Sequence, residues 1–250
     1  MSLHETSGLV LKTYSLAEAD KIVVFLTPDF GLLRGVAKGA KRLKSRFGGS
    51  LEPFTEVSLE FFRKEERELV SIRGLELRKS YFEVLSNPLY LQNFSYLSEL
   101  LTEFVPQNEP NERIYRMAKV CLETAAEGAE TLERITLYFE LWLLKLGGYL
   151  PSWDFCENCK REFGELEETN LQINFQLLCS NCRVGRGSFQ IGAEHRNIFK
   201  AAQKLSPEKF LAYTEDKNSA AKDVSDVLKR IIAHILGREI RSEKITAAAQ

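Results

Sequence analysis

Near Glu83 the hydrophobic period of the chain changes, and that change constrains the fold more tightly than any other feature. Upstream, five short segments at residues 8–14, 21–27, 32–38, 55–63 and 69–78 are rich in β-branched and apolar residues, with turn signals at Pro28, Asp29 and Gly31. In the fourth, Val57, Leu59 and Phe61 are expected to face inward and Glu56, Ser58 and Glu60 outward. Five strands within the first 80 residues fit a small closed barrel. An OB-type barrel has five strands and binds oligonucleotides, while an SH3-like barrel or a small sandwich would give much the same pattern.

Downstream, apolar residues recur at steps of three and four. Leu89, Leu91, Phe94, Leu97, Leu100, Leu101 and Phe104 form one helical stripe ended by Pro106. A second helix follows Pro110 and Asn111 and runs through Ile114, Met117, Ala118 and Cys121; a third covers 132–146 and stops at Gly147 and Gly148. These three are expected to pack as a bundle, with Cys121 a buried small hydrophobe. Shorter helices are expected at 198–205 and 207–213. A last helix over 220–239 carries Val224, Val227, Leu228, Ile231, Ile232, Ile235 and Leu236 in one stripe, and the tail from Arg241 is expected to fray. The reading is an α+β multidomain chain: a five-stranded OB-type barrel at 1–80, a helical bundle domain at 81–151, a zinc-finger-like segment at 152–192, and the rest of the helical domain at 193–250.

Within the strand region, residues 34–50 (RGVAKGAKRLKSRFGGS) hold Arg34, Lys38, Lys41, Arg42, Lys44 and Arg46 without one acidic residue. Glycines at 35, 39, 48 and 49 punctuate the run, which reads as a mobile basic loop whose backbone can approach phosphates. A solvated charge run is the plain alternative. With a net charge of −1 and a pI near 6.4 the chain is no polycation, so anion binding must come from this local asymmetry.

The second constellation is Cys156-x-x-Cys159 followed, 19 residues on, by Cys179-x-x-Cys182. Two such turns can aim four thiolates at one tetrahedral ion, which predicts a structural Zn²⁺ site with no open coordination position. A thioredoxin-like redox pair would need a βαβ context that the sequence lacks. Lys160, Arg161, Arg183, Arg186 and Arg196 surround the cysteines and either extend a phosphate-binding surface or are ordinary solvated charges. His195 is expected to be a surface or capping residue, because four cysteines already complete the site.

No apolar run approaches the roughly 20 residues of a membrane helix, and the first residues lack the charge and apolar pattern of a signal peptide, so the expected location is cytoplasmic, with no membrane partner. A nucleophile elbow, Walker loop, Rossmann fingerprint and HExxH helix are all missing, and His4, His195 and His234 stand in unrelated contexts. The expectation is a binding protein and not an enzyme.

The segment EADKIVVFLTPDFGLLRGVAKGAKRLKSRFGGSLEPF, residues 18–54, resembles the N-terminal signature of the bacterial recombination and repair mediator family RecO. LWLLKLGGYLPSWDFCENC, residues 141–159, resembles that family's approach to its cysteine site. The resemblance implies an OB-fold domain, a helical domain and a zinc-finger-like insertion in a DNA repair protein that binds single- and double-stranded DNA. It further implies annealing of strands coated with single-stranded DNA-binding protein (SSB), contact with the acidic SSB C-terminal tail, and action with RecR to help load RecA at the nucleoid. Phosphate contact then falls on Arg34, Lys38, Lys41, Arg42, Lys44 and Arg46, and metal binding on Cys156, Cys159, Cys179 and Cys182. A rival reading is a protein-interaction scaffold whose basic loop binds acidic peptide tails, with DNA binding incidental.

Overall fold

The computed structural model describes residues 2–64, 67–183, 189–240 and 242. Contacts divide the chain into two compact units, one reaching from the N-terminus to Ala129 and rejoined by the chain from Ile240, the other spanning Glu130–Glu239. The pattern boundary near residue 80 separates strands from helices; the contact units divide later, after the second helix.

The first unit is built on β1 (Ser2–Leu16), β2 (Asp20–Thr27), β3 (Gly31–Ala37), β4 (Glu56–Arg63) and β5 (Val70–Lys79). They close into a barrel in the order β1-β2-β3-β5-β4, antiparallel except for a short parallel pairing of Gly35 with Val70 and Val36 with Ser71. β1 closes the barrel because it pairs twice, with β4 through Ser2 to Leu9 and with β2 through Leu9 to Leu16, bending at a bulge between Val10 and Lys12. Alternate residues turn inward: Val10, Val23, Phe25, Leu33, Val57, Leu59, Phe61 and Ile72 fill one core.

Two glycines show how tightly this barrel is drawn. Gly31 has a φ of +56°, and a Cβ there would collide with the carbonyl oxygen of Glu109. Gly35, which the sequence offers as a point of ligand approach, instead faces the interior; a Cβ would sit 2.8 Å from Ile72 Cγ1. It lets β3 meet β5.

Two helices, α1 (Pro88–Phe104) and α2 (Glu112–Ala125), lie over β1 and β2. Asn87 and Asn111 cap them through side-chain oxygens that accept from Leu89 N and Ile114 N. Phe94 carries α1 onto the barrel, edge-on to Phe54, Tyr81 and Tyr90. Ser98 Oγ donates to the Leu11 carbonyl at 3.1 Å. Leu9, Leu11, Val24 and Leu26 therefore stay buried although they alternate with the inward set. Leu89 and Leu91, expected in the apolar stripe, are exposed, and Tyr90 takes the buried position.

Glu56 departs from its expected outward exposure. It is only 6% exposed, its carboxylate 2.8 Å from Lys119 Nζ on α2 and accepting from the Tyr81 hydroxyl at 3.5 Å. The strand pattern pointed it away from the barrel core correctly, but α2 covers that face. Burial beside the Glu56 carboxylate pushes the Tyr81 hydroxyl far up, and the hydrogen bond that Lys119 donates to Glu56 pushes Lys119 up.

In the second unit α3 (Leu132–Leu146) packs on α4 (Ala193–Lys204), α5 (Pro207–Tyr213) and α6 (Asn218–Leu236). Thus the three helices expected to form one bundle divide between the units. Val224, Val227, Leu228, Ile231 and Ile232 of α6 are buried, and Gly237 ends that helix in the left-handed region. Tyr138 OH and Trp142 Nε1 of α3 donate to the carbonyls of Leu205 and Ala202 at the end of α4. Cys121, in the first unit, is fully buried as expected.

Candidate nucleic-acid interface and metal centre

All six cations of the basic run are exposed. Arg34 stands on β3, and the other five follow along the turns between β3 and β4. Among the described residues none of the six forms an ion pair. That leaves a run of positive charge facing solvent.

The segment expected to be a mobile loop is stitched down at several points. Gly39 N donates to Asp20 Oδ1 at 2.8 Å, Lys41 N to the Ala19 carbonyl at 2.9 Å and Lys41 Nζ to the Ala17 carbonyl at 2.9 Å. These bonds join it to the β1–β2 turn. At its far end Phe47 is 2% exposed within the barrel core, Ser45 Oγ accepts from Phe47 N, and Arg46 donates to the Ile72 carbonyl at 3.3 Å with its guanidinium 4.9 Å from the Phe47 ring centroid. Lys41 and Arg46 retain further N–H groups while holding the loop. The residue that sequence reading missed here is Asp20, whose signal was an acid opening a strand directly after a tight turn. At the tip, Leu43 is fully exposed between Arg42 and Lys44.

The four cysteines converge, with all four Sγ atoms within 4.8 Å of one another. Cys159 and Cys179 sulfurs are 3.9 Å apart, near the roughly 3.8 Å edge of a tetrahedron with Zn–S bonds of about 2.3 Å. Each pair comes from a tight turn. Lys160 N donates to the Cys156 carbonyl at 2.8 Å, with Lys160 at φ +58°, and Cys182 N to the Cys179 carbonyl at 3.1 Å. The second turn lies between the second and third strands of a small sheet of β6 (Thr169–Leu171), β7 (Leu177–Leu178) and β8 (Gln190–Ile191), ordered β7-β6-β8. Trp153 braces the segment, stacked on Phe199 with centroids 4.2 Å apart and donating to the Phe175 carbonyl. Burial disfavours the Cys156 thiolate, but N–H groups of Cys159, Cys179 and Asn158 outweigh it and lower the thiol to about 6. Four sulfurs, two of them deeply buried and met by backbone donors, fit a soft metal ion and leave no place for a fifth protein ligand.

The cations around this centre are differently disposed. Arg161 makes a two-pronged pair with Glu167 at 2.8 and 2.6 Å, and Lys160 pairs with Glu157 at 3.1 Å. Arg196 is 4% exposed, donating to the Glu167 and Gly164 carbonyls and lying over Phe163. It is a structural strut, not a phosphate ligand. Arg183 is exposed, and Arg186 lies outside the described residues. His195 is a capping residue as expected: its Nδ1 accepts from Gly192 N at 3.1 Å, so in the neutral ring Nε2 donates to Asp223.

Two family models match the chain, described as recombination protein O N terminal over residues 1–81 and recombination protein O C terminal over residues 90–244. Among curated relatives, the DNA repair protein RecO of Syntrophus aciditrophicus is 30% identical over 246 residues, covering 97% of this chain and 94% of the relative. That of Koribacter versatilis is 27% identical over 244 residues, covering 98% and 96%. The Geobacter metallireducens protein of the same name is 33% identical over 194 residues, 78% of each chain.

Proposed function

Because the chain belongs to the recombination protein O family, whose role is in DNA repair and recombination, we propose that it is a non-enzymatic mediator that holds single- and double-stranded DNA on its basic loop and barrel. The observation that supports this is the exposure of Arg34 on β3 and of Lys38, Lys41, Arg42, Lys44 and Arg46 on the loop after it, which is fixed to the barrel, all six unpaired by any described acid. Fixed cations neutralise phosphates and release counterions without reading base edges, so binding is strong in low salt and indifferent to sequence. We read the barrel as OB-type.

Annealing follows physically. Two strands screened on one positive surface repel each other less, while their base edges stay available for pairing. In this reading the protein anneals strands coated with SSB, engages the acidic SSB tail, and acts with RecR to assist RecA loading in the cytoplasm, at the nucleoid during repair. The metal we assign to Cys156, Cys159, Cys179 and Cys182 is Zn²⁺, which, when bound, organises the segment's fold and activates no water.

The test is annealing of complementary oligonucleotides precoated with cognate SSB, comparing the protein with a Lys38→Glu, Lys41→Glu, Arg42→Glu variant. The expected result is annealing by the protein and none by the folded variant. If about five phosphates are neutralised, log K for a single strand falls against log salt with a slope near −3.5; a flat response would sink the electrostatic model. One observation favours a second reading, an acidic-tail scaffold: fully exposed Leu43 between Arg42 and Lys44 offers an apolar contact that a phosphate backbone does not need. Loss of SSB-tail binding with DNA affinity intact in a Lys41→Glu, Arg42→Glu variant would select it.

A further inference from the structure

The outer face of β1, β2 and β3 is covered unevenly. α1 reaches along β1 as far as Leu11, through Ser98, and Lys12, whose ammonium donates to Thr102 Oγ1 at 3.4 Å. In the row of cross-strand partners Lys12, Val24 and Arg34, Val24 is 2% exposed. The next outward row is Tyr14, Ile22 and Val36, set opposite one another by the strand register. Here the helices no longer cover the sheet. Tyr14 is 52% exposed, and Ile22 and Val36 are half-buried.

Among the described residues the Tyr14 hydroxyl has no hydrogen-bond partner, and about half of the side chain is open to solvent. Its surroundings are charged to suit one kind of ligand. Arg34 precedes Val36 by two residues and Lys38 follows it by two, both exposed, while Asp20 is occupied by the Gly39 N–H. Exposed Glu18 is a second acid in the β1–β2 turn. The turn carbonyls of Ala17 and Ala19 hold Lys41, which brings the basic loop to this same end of the barrel. Two other strand aromatics are less available: Phe61 is fully buried against His4 and Phe30, and Phe62 is half-buried.

We infer that Tyr14, backed by Ile22 and Val36, is a stacking platform for an unpaired base of a single strand whose phosphates lie over Arg34, Lys38 and the loop. This rests on the DNA-binding reading above and adds to it a preference for single strands, because a ring stacks on a base face only where that face is open.

The experiment measures binding, by fluorescence anisotropy at raised salt, of an oligothymidylate and of an abasic strand of equal length, which keeps the phosphates and lacks the bases. The wild type should prefer the thymidylate. Tyr14→Ala should lose about five- to a hundredfold on it while binding the abasic strand as the wild type does, and Tyr14→Phe should retain the preference. Equal thymidylate binding by wild type and Tyr14→Ala overturns the platform and leaves the electrostatic reading standing. An equal loss on both strands makes Tyr14 a structural residue and also overturns it. Failure of the wild type to bind either strand at any salt refutes the DNA-binding reading and this inference together.

Discussion

Two regions of this molecule look alike in sequence and differ in what their charges do. Both the run from Arg34 and the stretch from Cys156 to Arg196 are glycine-punctuated and carry several lysines and arginines. In the first, six cations face solvent with no acidic partner among the described residues, and the backbone beneath them is held by Asp20 and the buried Phe47. In the second, Lys160, Arg161 and Arg196 are bound to Glu157, to Glu167 and to backbone carbonyls. A guanidinium already paired with a carboxylate or buried against carbonyls has less to offer a phosphate, since a new contact competes with an old one. Proximity of basic residues in sequence is therefore a weak guide to anion binding; their pairing decides.

Four measurements would break or sharpen this contrast. The largest effect is expected from metal removal. Purified protein should carry one equivalent of zinc, and chelation or Cys179→Ser should unfold the cysteine segment, on the scale of about 10 kcal/mol for small zinc modules. Titration with a thiol reagent reads it: Cys156, Cys159, Cys179 and Cys182 become reactive while buried Cys121, in the barrel unit, stays protected. Zinc-free protein with the same stability would refute a structural metal.

Next, Phe47→Ala should cost the barrel unit about 3–5 kcal/mol, because it empties a core position and releases the end of the basic loop. Denaturant unfolding followed through the barrel unit would show it, and an unchanged midpoint would mean that Phe47 does not anchor the loop.

The third measurement sets arginine against arginine. Arg42→Ala should lower the single-strand salt slope by about 0.7 and change stability by less than about 0.5 kcal/mol. Arg196→Met should do the reverse, costing about 2–3 kcal/mol for its lost buried hydrogen bonds while leaving the slope unchanged. If Arg196→Met instead lowers the slope, the two regions are not distinct.

The smallest effect is a pH dependence. Lys119 and Tyr81 both titrate higher in the folded barrel unit than in the unfolded chain. Their stabilisation is complete below their ordinary values and is lost as pH rises above about 10. Since Lys119 is partly exposed, its share is about 1 kcal/mol or less. Unfolding at pH 8 and pH 11 should show a drop for wild type that shrinks in Lys119→Met; an equal drop in both would exclude the Lys119–Glu56 pair as its source.

Much of this was legible in the chain. Val57, Leu59 and Phe61 alternate because a strand's side chains do, and the interior they fill is the one the alternation implies. Helix α3 lies where its period and the Gly147-Gly148 stop put it. The four cysteines could be grouped from spacing alone, since two tight turns have few ways to share an ion. Other features were not legible. Glu56 reads as an exposed strand residue until α2 brings Lys119 over it, and Arg196 reads as one more surface cation until two carbonyls distant in sequence close on it.

The sequence by itself determined the periods, the positions of the turns, the grouping of the four cysteines and the family, because these depend on local geometry or on residue identity. The tertiary structure decided which helices cover the barrel, which cations stay unpaired and that Tyr14 stays uncovered. Those outcomes depend on partners far apart along the chain, and no local pattern encodes which surface a helix will lie against.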